Sequence, residues 1–138
     1  GEDVDRLRVS GENLTAAPIA RLLTAHPHVV EAVVYAVPDP VAGDQVMAAV
    51  VPAEGFDPAA FAAWVAEHPE AGKHWVPAFL RIGELPRTAT GKVIVRALAE
   101  RRWHGDVWLR EGDVMRPMTQ LDVEELNARF TASGRRLA

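Results

Sequence analysis

Two apolar runs rich in β-branched residues, Val29 to Val37 and Gln45 to Val51, constrain this chain's fold more than any other feature. Each has the length and composition of a strand. Pro38-Asp39-Pro40 and Gly43-Asp44 break the pattern between them and form a connection. A third strand is expected from Val76 to Ile82, and a short alternating one at Arg6-Leu7-Arg8-Val9-Ser10. Helical spacing places Ile19, Leu22 and Leu23 on one face, with Thr15 as N-cap, Pro18 in the tolerant first turn and His26-Pro27 as the stop. Asp57-Pro58 opens a second helix that buries Phe61, Trp64 and Val65. A third runs from about Val93 to Arg102 with Ile94, Ala97 and Leu98 inward. Beyond Trp103 come a short extended piece, Val107 to Arg110, and a helix announced by Thr119 and Asp122, a capping-box pair, with Val123, Leu126 and Phe130 on one face. The order predicts an α+β fold: a small, mostly antiparallel sheet, helices packed on one face, and a C-terminal strand–helix extension.

With 138 residues the chain has room for one domain with a real core. A formal net charge of −4 leaves no basic stripe to neutralise a phosphate backbone, which argues against a general nucleic-acid binder. No apolar run reaches the length of a membrane span. The helix from Thr119 carries too few basic residues for more than peripheral membrane contact. Gly1 to Asp5 is acidic and polar, unlike a secretory leader. The absence of cysteine excludes disulfides and thiolate chemistry and fits a cytosolic protein.

Lys92 is the foremost chemical candidate. The chain holds two lysines, Lys73 and Lys92, against thirteen arginines. Pro86, Thr88, Thr90 and Gly91 make a mobile, turn-rich loop that delivers Lys92 just before a helix. A lysine is a compact point charge on a long stem, suited to meeting a phosphate. The loop is not a Walker A cradle, since Pro86 stands where that motif needs glycine and Val93 where it needs Ser or Thr. The plain alternative is a surface loop with a solvated lysine. Gly11-Glu12-Asn13 is either a ligand-touching turn or a simple link between strand and helix. His26 and His28 sit two residues apart, but His68, His74 and His104 are scattered and no carboxylate cluster joins them, so no metal site is expected. Trp64 is expected in the core; packing is the simplest role for Trp75, Trp103 and Trp108.

In order, Arg8-Val9-Ser10-Gly11-Glu12-Asn13, Tyr35-Ala36-Val37-Pro38-Asp39, Gly43-Asp44 and Leu85-Pro86-Arg87-Thr88-Ala89-Thr90-Gly91-Lys92 resemble the C-terminal domain of adenylate-forming enzymes. These are the acyl-CoA synthetases, peptide-synthetase adenylation domains and luciferases. The resemblance covers roughly residues 4 to 103. It divides the chain into a mobile C-terminal domain at 1–104, its large N-terminal domain absent, and an extension at 105–138. Val33 to Val50 and the region of Trp108 to Thr119 look most like fatty-acyl-CoA ligases of the fatty-acid-transport-protein type.

The resemblance implies a two-step ligase using ATP, CoA and Mg2+, bound mainly by the absent domain. A carboxylic acid, of the fatty-acid class, attacks the α-phosphate; the CoA thiol then displaces AMP. The small domain partners its own N-terminal domain and swings between the two steps. Lys92 matches the adenylation lysine. Gly11 matches the glycine beside the pantetheine tunnel, with Arg8, Glu12 and Asn13 on the same face. At the hinge, Asp5 fits the second of two usual aspartates. Val4 replaces the first, Glu2 stands where arginine is usual, and Arg8 replaces a lysine. Two other readings remain: a stand-alone ferredoxin-like ligand-binding or regulatory module, and an adenylation domain serving a carrier protein. The fragment alone is expected to be inactive.

Overall fold

The computed structural model of the chain describes residues 5–135, so the expected hinge position Val4 lies outside the described residues. The two apolar runs form β3 (Val29–Pro38) and β4 (Asp44–Pro52), paired antiparallel from Val29↔Pro52 to Pro38↔Asp44. Helix α2 (Pro58–Glu67) crosses over to β5 (Phe79–Ile82), which lies parallel to β4. Strands β6 (Val107–Glu111) and β7 (Val114–Pro117) continue the sheet antiparallel, giving the order β3-β4-β5-β6-β7. A separate hairpin pairs β1 (Arg6–Val9) with β2 (Glu12–Thr15). The α+β class and the mostly antiparallel sheet follow the sequence reading.

The helices do not share one face, as the sequence reading expected. Alternate residues of β3 and β4 feed two cores. Ala32, Val34, Val46, Ala48 and Val50 pack with Leu80 against α1 (Ala16–Thr24), α2 and the inward residues Leu7 and Val9 of β1. Tyr35, Val37, Met47, Ala49 and Phe79 pack against Leu98 of α3 (Val95–Arg101), Trp103, and Phe130 of α4 (Gln120–Ser133). A strand covered on both faces needs a nearly continuous apolar run, and that is what β3 and β4 carry. Fully burying a side chain such as Phe61 contributes about 1.5–3 kcal/mol.

Local chemistry sets the helix ends. The Asp57 carboxylate accepts from Ala60 N at 2.9 Å with Pro58 in the first turn. Thr119 and Asp122 form the reciprocal capping box. Thr15 precedes α1 but makes no side-chain cap; instead the Ala16 N–H donates to the Asp5 carbonyl at 2.7 Å. Helix α3 starts at Val95, later than expected, and the Ile94 side chain points outward because its N–H is tied to the Pro86 carbonyl at 2.8 Å. Buried Arg81 of β5 donates to the Arg102 carbonyl at 2.9 Å, placing a cation at the end of α3. Trp103 is buried; Trp64, Trp75 and Trp108 are half-buried against the first core. No described helix is long and apolar enough to cross a membrane.

Candidate functional site

The Lys92 loop is an ordered hairpin, not the loose segment its composition suggests. Arg87 and Val93 bridge antiparallel. Between them Thr88 N–H donates to the Lys92 carbonyl at 2.8 Å and Gly91 N–H to the Thr88 carbonyl at 2.9 Å. The Lys92 N–H reaches Thr88 Oγ1 at 3.1 Å, and the two threonine hydroxyls meet at 3.1 Å. Arg87 folds back on the Gly91 carbonyl at 3.1 Å and pairs with Glu31 of β3. The polar side chains therefore hold the backbone of the turn. The lysine itself is exposed, and among the described residues no ion pair or hydrogen bond engages its Nζ. Leu85, Val93, Val95 and Leu98 root the segment in the second core.

Gly11 sits in a different turn. Ser10 (φ 49°) and Gly11 (φ 83°) are the two central residues between the paired Val9 and Glu12, both left-handed as a tight hairpin requires. A side-chain carbon at Gly11 would meet nothing within 4 Å in this domain. The space above it is open. Arg8 Nη1 donates to Asn13 Oδ1 at 2.9 Å across the hairpin, so those two candidates hold each other. Glu12 faces Lys73 Nζ at 3.8 Å and His74 Nε2 at 3.5 Å, partners the sequence reading did not assign. Exposed Asp5, the described part of the expected hinge, is fastened to α1 through its carbonyl.

The two turns stand apart. Arg87 anchors the lysine hairpin to Glu31, near the start of β3. The Arg8 N–H donates to Asp44 Oδ2 at 2.8 Å, and Asp44 pairs with Pro38 at the other end of that strand. Seven residue steps of strand separate the anchors, about 23 Å. The residues also root in opposite cores: Leu7 and Val9 in one, Leu85 and Val93 in the other. The two turns are thus anchored at opposite ends and on opposite faces of the β3–β4 pair.

The histidines have local explanations. His26 is buried against Phe56, Phe61 and Trp64, and its Nδ1 accepts the His28 N–H at 3.0 Å, which accounts for their spacing. Among the described residues no three His, Asp or Glu side chains converge.

Residues 19–92 match the model of the AMP-binding enzyme C-terminal domain. Over 98% of its length the chain is 41% identical to the steroid-22-oyl-CoA synthetase of Rhodococcus jostii strain RHA1, of which the match spans 26%. It is 51% identical, over 69% of its length, to the medium/long-chain-fatty-acid–CoA ligase FadD17 of Mycobacterium tuberculosis, spanning 20% of that protein. The crystal structure of ATP-bound MatB from Rhodopseudomonas palustris superposes with a TM-score of 0.62 at 30% identity, covering 72% of this chain and 20% of that one. The chain thus spans about a quarter or less of the proteins it is similar to. The family match takes in β3, β4, α2, β5 and the lysine hairpin, so the chain belongs to the AMP-binding enzyme C-terminal domain family.

Proposed function

We propose that this chain is the moving domain of an AMP-forming acyl-CoA ligase, and that it presents its two turns to one active site in succession. The observation that carries this reading is the separation of the turns: a cation with no partner among the described residues at one end and face of the β3–β4 pair, an open glycine turn at the other end and face.

In the first step a carboxylate oxygen bonds to the α-phosphorus of ATP, the bond to the bridging oxygen breaks, and pyrophosphate leaves. Negative charge grows on the α-phosphate oxygens and the bridging oxygen. Lys92, carried into that pocket, stabilises the charge more in the transition state than in the ground state. Its hairpin, ordered before docking, reduces the ordering cost at the moment of reaction. In the second step the CoA thiol releases its proton, its sulfur bonds to the acyl carbon, the acyl carbon–oxygen bond breaks and AMP departs with that bond's electrons. Gly11, with no side chain, leaves room for the pantetheine arm, and Arg8, Glu12 and Asn13 frame that face. Val4 and Asp5 form the hinge. Mg2+ would be held with ATP by the large domain, where it would neutralise phosphate charge.

The substrate class we propose is a fatty acid, on the strength of the similarity to a medium/long-chain-fatty-acid–CoA ligase. The test is ATP–pyrophosphate exchange by a full-length synthetase containing this chain, against a panel of carboxylic acids. Exchange should be fastest with fatty acids, and AMP release should depend on CoA. Exchange with none of the acids, or acyl-AMP that CoA does not discharge, contradicts the reading.

A further inference from the structure

The extension beyond residue 104 ends in contacts that its sequence gives no hint of. Helix α4 closes at Gly134, whose N–H meets the carbonyls of Phe130 at 3.0 Å and Thr131 at 3.3 Å. This reversal aims the next side chain back across the domain. Arg135 Nη1 donates to the carbonyl of Asp39 and, at 2.9 Å, to that of Gly43. Ser133 Oγ donates to the Pro40 carbonyl. Two residues of the tail thus hold three backbone carbonyls of one connection, more than ninety residues earlier in the chain.

That connection is itself tightly knit. Asp39 Oδ2 accepts from Val41 N at 2.8 Å and Ala42 N at 3.2 Å, and Oδ1 from Gln45 Nε2 at 2.6 Å. Burial pushes the Asp39 carboxyl up, but the bonds from Gln45, Val41 and Ala42 outweigh it and the net shift is downward. Its far end carries the glycine hairpin. Asp44 takes the Arg8 N–H, and Gly43 packs so closely that a side-chain carbon there would drive into the Arg8 carbonyl oxygen. A continuous set of contacts therefore runs from the tail through residues 39–44 to β1 and the turn at Gly11. Among the described residues no hydrogen bond joins the end of α4 to the lysine hairpin, whose polar anchor is Glu31; the two share only apolar packing in the second core.

We infer that Ser133 and Arg135 are positioning residues for the thioester-forming step: the end of α4 is a strap that fixes the 39–44 connection and, through it, the glycine hairpin. The inference rests on the two-face reading of the reaction above. It makes the last turn of α4 a selective support for one of the two faces, while the body of the helix packs in the second core. Geometry favours selectivity because the strap grips backbone carbonyls of one loop, and each bond fixes the loop's position without adding a group to the reaction.

The test uses a full-length synthetase containing this chain with Arg135→Ala, Arg135→Lys and Ser133→Ala. Pyrophosphate exchange reads the first step, and single-turnover thioester formation from purified acyl-AMP reads the second. Amide hydrogen exchange is followed at Arg8, Val41 and Ala42. With Arg135→Ala, thioester formation should slow about three- to tenfold, a part of what losing two hydrogen bonds would cost at the site itself, while pyrophosphate exchange stays within about twofold. The three amides should exchange faster, and Arg135→Lys, which keeps a donor, should recover much of the loss. Equal loss in both steps, or unchanged exchange at Arg8, overturns the strap. Failure of the unaltered synthetase to exchange pyrophosphate would overturn the ligase reading instead, and the amide data would still decide whether the tail holds the loop.

Discussion

The lysine hairpin and the glycine hairpin are built by opposite means. In the first, side chains do the structural work: Thr88, Thr90, Arg87 and Glu31 hold the turn and leave one cation outside. In the second, backbone geometry dominates, with two consecutive left-handed residues, Ser10 and Gly11, and no side chain at Gly11. The contrast suits the two roles proposed above. A fixed charge needs a rigid arm, whereas a passing ligand arm needs vacant volume. The two are at opposite ends and faces of one strand pair, and on the reading proposed above they serve one active site in turn.

The sharpest way to break the contrast is to remove the charge. Lys92→Ala should lower pyrophosphate exchange by about two to four powers of ten, as loss of a transition-state cation does. Thioester formation from preformed acyl-AMP should be spared. Equal loss in the two assays would erase the distinction between the faces.

Filling the vacancy comes next. Gly11→Leu should slow thioester formation at least tenfold while leaving pyrophosphate exchange largely intact. The left-handed φ of 83° adds strain of about 1–2 kcal/mol to any ordinary residue. Gly11→Asn separates the two effects, since asparagine tolerates this conformation. If thioester formation recovers fully in Gly11→Asn, backbone strain and not a blocked arm explains the leucine result.

Loosening the rigid arm should cost less. The Arg87–Glu31 pair is more than a third exposed on both sides, and such pairs contribute up to about 1 kcal/mol. Glu31→Gln should therefore reduce pyrophosphate exchange by no more than about fivefold and leave thioester formation alone. An effect as large as that of Lys92→Ala would mean that Glu31 touches the reaction itself.

The smallest effect should be shared by both regions. Burial, with His28 nearby, lowers the pKa of His26 in the fold. Below the ordinary histidine pKa of about 6.5 the unfolded chain takes up a proton that the folded chain resists. Stability should then fall as pH drops below that value and level off above it. Thermal unfolding between pH 5 and 8 measures this, and His26→Phe should flatten the profile. A stability that rises on acidification would contradict the assignment of a neutral buried imidazole.

Much of the frame was legible because it rests on local chemistry. β3 and β4 announced themselves by β-branched runs, α2 by Asp57-Pro58, and α4 by Thr119 with Asp122. The missed strands are short and largely exposed. β2 buries little beyond part of Leu14, and β7 buries only Met115, so neither shows a two-residue apolar period. The Gly112-Asp113 pair between Glu111 and Val114 was the available turn signal for β7. Coverage of both sheet faces was implicit in the unbroken apolar runs but was read as one-sided. In the site, Lys92 and Gly11 were picked out by motif. The links from Glu12 to Lys73 and His74, and from Arg135 to Asp39 and Gly43, join residues far apart in the chain, and no local pattern records them.

The chain's two lysines allow the central claim to be tested in one footprinting experiment. Lys92 belongs to one face, and Lys73, paired with Glu12 beside the glycine turn, belongs to the other. A full-length synthetase would be treated with a small amine-acylating reagent in two states. One is held by an ATP analogue with an uncleavable α–β bridge plus carboxylic acid, the other by a non-hydrolysable acyl-adenylate mimic plus CoA. Mass mapping should find Lys92 protected and Lys73 modified in the first state, and the reverse in the second. The same lysine protected in both states would contradict a domain that presents two faces in turn.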